Sequence, residues 1–171
     1  MKENVFLVGP RAVGKTTLGR MLAAELGLVF VDTDEEIKAE TNLSVVEIVA
    51  EDGWEAFRRV ESRILARVAE GCGQVVATGG GAILSEGNRE LLRRRGVVFY
   101  LMAEAATLAR RLEASPESGQ RPSLTGVNPA QEVARVLAER EPLYMAVADH
   151  IMRTEDDPKS LIDDARLKMG L

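Results

Sequence analysis

Three stretches of the chain hold residues whose types and spacing can do chemistry. The first, Gly9 to Thr17, reads GPRAVGKTT and fits G-x-x-x-x-G-K-[ST], a loop whose backbone N–H groups cradle phosphate oxygens. In such a loop Lys15 reaches the β- and γ-phosphates of a nucleotide as a point charge, and the Thr16 hydroxyl ligates Mg2+. A glycine-rich turn that binds nothing is the weaker reading, because a chance match in a chain this size has a probability on the order of 1% at ordinary glycine usage. The second stretch is Asp32-Thr33-Asp34. Magnesium at a phosphate site needs a carboxylate beside it, and either acid can also cap a helix, so one is expected to do both. The third is TGGGAIL, residues 78–84. Each glycine costs about 0.5–1 kcal/mol against alanine inside regular structure. Three in a row call for a turn at positive φ or for backbone that approaches a ligand too closely for any Cβ.

A fourth segment, GWEAFRRVE at residues 53–61, puts Arg58 and Glu61 on one helix face. On pattern alone the stronger reading is an exposed ion pair, since Arg59 and Arg63 lie close by and periodicity does not separate the three arginines.

These residues need a scaffold, and the chain alternates short β-branched runs with longer helical patterns, as a parallel sheet covered by helices does. Strands are expected at Asn4 to Val8, Val29 to Asp32, Gln74 to Thr78, Val97 to Met102 and Asp149 to Arg153. The phosphate loop then follows the first strand and opens a helix, so the helix N-terminus adds its own N–H groups. Ser44 with Glu47 reads as a capping box; Asn128-Pro129 and Asp157-Pro158 read as N-cap and N1 pairs. Between the second and third strands lie about forty residues, more than one crossover helix needs. Helical patterns start there at Thr33, Ser44 and Trp54, which marks an inserted helical subdomain over about 33–62. The Ser-, Gly- and Pro-rich stretch 113–129 reads as a loop of the kind that forms lids, its lid spanning about 113–126.

Composition bounds the rest. With 171 residues, 46% hydrophobic and 29% charged, the chain fits one globular domain. A formal net charge of −5 argues against nucleic acid as a partner. No apolar run approaches the roughly 20 residues that span a bilayer, and the N-terminus lacks a signal-peptide pattern. We expect a cytoplasmic monomer without membrane attachment. The single cysteine, Cys72, allows no internal disulfide and reads as small filler between two glycines. The one histidine, His150, reads as a core or edge residue of the last strand.

GPRAVGKTT, FVDTD, GWEAFRRVE, ATGGGAIL, RPSLTG and EREPLY occur in the order and spacing of shikimate kinases, which the chain resembles over most of its length. The resemblance implies an α/β fold: a five-stranded parallel sheet flanked by helices, in the P-loop kinase arrangement, with an inserted substrate-binding subdomain and a closing lid and with no appended domain. It implies transfer of the ATP γ-phosphoryl group to the 3-hydroxyl of shikimate, with Mg2+ as cofactor, in the route to aromatic amino acids. Carried onto matching positions, Gly9, Pro10, Arg11, Ala12, Val13, Gly14, Lys15, Thr16 and Thr17 would hold the ATP phosphates. Arg111 and Pro158 would enclose the adenine, and Arg121 would reach the phosphates from the lid. Thr16 and Asp32 would serve the metal. Asp34 would hold the reacting diol, Arg58 and Arg140 the shikimate carboxylate, and Gly79, Gly80 and Gly81 would line the same pocket. Glu61 would orient Arg58. Lys15, Asp34 and Arg121 would be the catalytic groups.

Elementary chemistry agrees with two of these roles. A small carboxylated ring is best gripped by planar guanidinium groups. Phosphoryl transfer is largely dissociative, so Asp34 matters more for orienting the hydroxyl than as a base, and accepts its proton only from within hydrogen-bond reach. A Cβ at Gly79, Gly80 or Gly81 is expected to intrude where the acceptor ring lies. Position 12 departs from the family's common glycine: if its φ is positive, Ala12 costs about 1 kcal/mol or more. Spacing alone favours Arg111 over Arg110 for the adenine. The alternatives are a gluconate-type kinase and a nucleotide-gated regulatory protein; Arg58 with Arg140, the glycines and Asp32-Thr33-Asp34 discriminate against the first. The acceptor-side residues, intact beside Lys15 and Thr16, speak against the second.

Overall fold

The computed structural model describes residues 3–114, 129–155 and 157–171. Five parallel strands, β1 (Asn4–Val8), β2 (Val29–Asp32), β3 (Gln74–Ala77), β4 (Gly96–Met102) and β5 (His150–Arg153), form one sheet in the order β2-β3-β1-β4-β5. The expected strands hold to within one residue: Thr78 and Asp149 fall just outside β3 and β5, and Gly96 joins β4. Helices α1 (Lys15–Leu26), α2 (Thr33–Thr41), α3 (Val45–Ala69), α4 (Glu86–Arg95), α5 (Ala105–Ala114), α6 (Pro129–Val147) and α7 (Pro158–Lys168) make the connections.

β1 is central and buried along its whole length, which is why it reads as a continuous apolar run. Its side chains alternate between two cores. Val5 and Leu7 meet Leu18 and Leu22 of α1 and Leu161 and Ile162 of α7. Phe6 and Val8 belong with Ile64 and Leu65 of α3, Leu92 of α4 and Tyr144 of α6. Each such side chain stabilises the fold by about 1.5–3 kcal/mol through burial. No helix among the described residues is long and apolar enough to cross a membrane.

The expected insert over about 33–62 falls on α2 and on α3 as far as residue 62. Asp32 caps α2, accepting from the Asp34 N–H at 3.0 Å. Ser44 and Glu47 cap α3 reciprocally, and Asp157 caps α7 through Lys159 and Ser160. The helical pattern expected from Trp54 is the continuation of α3 beyond a break at Gly53, whose φ of 82° and ψ of 172° are not helical. Positive φ favours glycine at that position. α3 then runs on past residue 62 to Ala69 and packs against the sheet.

One expectation changes, at Cys72, and one holds, at His150 in the edge strand β5. Cys72 is exposed in the turn before β3, so it fills no gap in a core. His150 is partly buried, with its ring 5.0 Å from that of Phe99. Arg121, the lid from residue 115 onward and the Asn128 cap lie outside the described residues.

Candidate functional site

The carboxyl ends of β1, β2 and β3 carry Gly9, Asp32 and Thr78 to Gly81 at one edge of the sheet, where open parallel sheets bind ligands. The loop after β1 bends through Gly9 (φ 149°), Ala12 (φ 61°) and Gly14 (φ 102°) into α1. A Cβ at Gly9 would strike the carbonyl oxygen of Leu101 at 2.5 Å, so this glycine answers to a close approach as well as to its torsion. Ala12 does adopt the left-handed conformation that its position left open. Lys15 Nζ folds over the loop and donates to the carbonyls of Gly9 (2.8 Å) and Pro10 (2.7 Å).

Arg111 of α5 donates to the Ala12 and Val13 carbonyls at 3.4 and 3.3 Å and to the Thr154 hydroxyl and carbonyl at 3.1 and 2.9 Å. It therefore ties the loop to the end of β5. Arg110 instead donates to Thr107 on the exposed side of the same helix. Arg111 and Pro158 line, together with residues 11–17, Asp32 and Asp34, a cleft of about 880 Å³. That is within the size range of cofactor and nucleotide sites.

At the floor of this cleft the Thr16 hydroxyl donates to Asp32 Oδ2 at 2.7 Å. One carboxylate thus both caps α2 and meets the first turn of α1. Hydroxyl and carboxylate oxygens are the hard donors that magnesium takes, with phosphate oxygens and water completing its shell.

A second, smaller cavity adjoins the cleft and shares Arg11, Asp34, Val45 and Gly80 with it. Arg58, Glu61, Gly79, Gly81 and Arg140 complete its polar lining, and Trp54 and Phe57 supply apolar lining. Its volume is about 30 Å³, room for a water molecule and far less than a six-membered ring needs. Arg58 does not make the exposed ion pair that its spacing suggested. It donates to Glu61 Oε2 at 2.6 Å, and that carboxylate is 2% exposed. Its guanidinium also lies 5.2 Å from the ring centres of both Trp54 and Phe57, a cation–π bracket that fixes its direction. Arg59 and Arg63 pair with Glu55 and Glu40 near the surface. Burial raises the Glu61 carboxyl above its usual range, against the opposing pull of Arg58 and Arg140. Among the described residues, Glu61 Oε1 is buried without a hydrogen-bond partner.

None of the three glycines at 79–81 has positive φ, so a left-handed turn is not their reason. The expectation that a Cβ would reach into the acceptor space is corrected at two of the three, where a side chain stands in the way. At Gly79 it would collide with Glu61 Oε1, and at Gly81 with the Arg58 guanidinium. At Gly80 it would meet nothing nearer than the Gly9 carbonyl oxygen at 3.5 Å, an ordinary contact. Two of the three therefore make room for the side chains that frame the cavity.

Two further residues were assigned no role from sequence. Buried Thr33 accepts the Gly79 N–H at 3.1 Å, and buried Tyr144 donates to the Gly80 carbonyl at 2.5 Å. The spacing of Tyr144 four residues after Arg140, on one helix face, was the available signal.

A family model described as "SKI: Shikimate kinase" matches residues 11–169. A protein of Syntrophotalea carbinolica named shikimate kinase 2 is 50% identical over 165 residues, 96% of this chain and 95% of its own. Its namesake from Sodalis glossinidius is 49% identical over 95% of this chain and 92% of its own. Among solved structures, the shikimate kinase of Acinetobacter baumannii in complex with shikimate superposes with a TM-score of 0.92 at 35% identity, covering 99% of this chain and 94% of that one.

Proposed function

The chain belongs to the shikimate kinase family, and on that premise we propose how its two cavities divide the work. It transfers the γ-phosphoryl group of ATP to the 3-hydroxyl of shikimate, giving shikimate 3-phosphate on the way to aromatic amino acids. The observation that carries the division is the meeting of an anion-binding cleft and a guanidinium-lined cavity at Asp34 and Gly80.

In this reading the cleft is the ATP site. The N–H groups of residues 9–17 and the start of α1 take the phosphates, and Lys15 leaves its loop carbonyls to reach the β- and γ-oxygens. Arg111 and Pro158 flank the adenine. Thr16 and Asp32 would hold Mg2+, which would supply positive charge beside the phosphate oxygens. Arg58 and Arg140 grip the shikimate carboxylate from two elements, which fixes the ring's orientation. Asp34, at the junction, holds the 3-hydroxyl in line with the γ-phosphorus and accepts its proton as the new bond forms. Arg121 would add charge from the lid. The ring cavity must widen to admit shikimate, and the non-helical torsions at Gly53 mark where α3 would bend to allow it.

Purified protein given ATP and Mg2+ should release ADP on addition of shikimate and not of gluconate or a nucleoside monophosphate. ADP release indifferent to the acceptor would overturn the reading.

A further inference from the structure

Tyr144 is a fully buried polar side chain beside the ring cavity that the reaction as described does not use. It is 1% exposed, and its ring stacks on Tyr100 of β4 with centres 5.0 Å apart and planes at 16°. The stack leaves the phenol one direction in which to point, and its hydroxyl donates to the Gly80 carbonyl at 2.5 Å. A trans peptide is planar, so its C=O and N–H point in opposite directions. Fixing the Gly80 carbonyl towards α6 therefore fixes the Gly81 N–H away from it. Neither the Gly80 nor the Gly81 N–H has a hydrogen-bond partner among the described residues. Gly81 is also the residue against which the Arg58 guanidinium lies.

The geometry points to Tyr144 as a positioning residue for the acceptor, which through the Gly80 carbonyl holds the Gly80–Gly81 peptide with its N–H presented to the acceptor's carboxylate beside Arg58. The inference rests on the assignment of shikimate to that cavity. Tyr144 shares α6 with Arg140, so one helix supplies a guanidinium for the carboxylate and also sets the backbone donor next to it. Burial pushes the phenol up to about 12, with Arg140 opposing. The hydroxyl thus keeps its proton, and remains a donor, throughout the neutral range.

Tyr144→Phe removes the hydroxyl and keeps the stacked ring. Tyr100→Phe is the control: it removes a neighbouring hydroxyl, which donates to Glu141 at 3.4 Å and has no link to the glycines. KM is independent of the amount of active enzyme, so partial unfolding of a variant does not mimic the effect. Tyr144→Phe should raise KM for shikimate about five- to tenfold with KM for ATP within twofold, while Tyr100→Phe should leave both within twofold. Unchanged shikimate KM in Tyr144→Phe, or equal rises in the two variants, would overturn the inference and leave Tyr144 a packing residue. Arg58→Ala, measured alongside, separates the two levels. If it leaves shikimate KM unchanged, the site assignment fails and the inference falls with it; if it raises KM and Tyr144→Phe does not, only the inference fails.

Discussion

The Arg58 guanidinium donates to Glu61 at 2.6 Å while the second oxygen of the same carboxylate, Oε1, is buried without a hydrogen-bond partner among the described residues. Half of this carboxylate orients an arginine and the other half carries an unpaid desolvation cost. The folded protein holds the Glu61 proton more tightly than the unfolded chain does, because burial raises its pKa. The native state therefore binds more protons above the unfolded value, and the contribution of Glu61 to stability falls as pH rises from about 4.5 through the raised pKa.

Glu61→Gln should consequently gain on the wild type in urea midpoint as pH is raised from 5 to 7.5, while its KM for shikimate rises about tenfold because Arg58 is no longer held by a charge. A midpoint difference that moves the other way with pH would show that the arginines outweigh burial at Glu61.

The glycine triplet yields an ordering. Gly81→Ala displaces the Arg58 guanidinium and should raise shikimate KM at least tenfold, with ATP KM unchanged. Gly80→Ala meets only ordinary contacts and should change the free protein's melting temperature little. Steady-state kinetics with each substrate varied, beside thermal melts, check both; a melting loss in Gly80→Ala larger than that in Gly81→Ala would contradict the assigned contacts.

Ala12 stands at φ 61°, a conformation that costs an L-residue about 1–2 kcal/mol. Glycine relieves that cost and gives back about 0.4–1 kcal/mol of unfolded-chain entropy. Ala12→Gly should therefore stabilise the protein by up to about 1.5 kcal/mol, which in a chain of this size raises the melting temperature by about 3–6 °C at most. Ala12→Val, β-branched at the same torsion, should lower it.

The sheet and the phosphate loop were legible in the sequence because their signals are local. β1 and β4 are covered on both faces and read as apolar runs, and the loop's glycines, lysine and threonine are consecutive. The framing of the acceptor cavity was not, because it depends on which helix face is buried. Arg58, Arg59 and Arg63 look alike along the chain, and only the docking of α3 puts Arg58 against Gly81 and leaves the other two outward. The triple glycine announced a constraint without its cause, since the side chains that need the room come from positions 58 and 61. Tyr144 was silent because its partner, Gly80, lies 64 residues away. The positive φ at Ala12 was not legible from its own residue type, since alanine seldom adopts it.

The central claim is that phosphate chemistry and acceptor recognition occupy separate halves of one site that meet at Asp34. Steady-state constants for both substrates, measured side by side on Lys15→Ala and Arg58→Ala, test it most directly. Lys15→Ala should lower kcat by about a hundredfold or more with shikimate KM nearly unchanged, because its charge acts on the transferring group. Arg58→Ala should raise shikimate KM ten- to a hundredfold with ATP KM within twofold. Equal loss of ATP affinity in both variants would contradict the division.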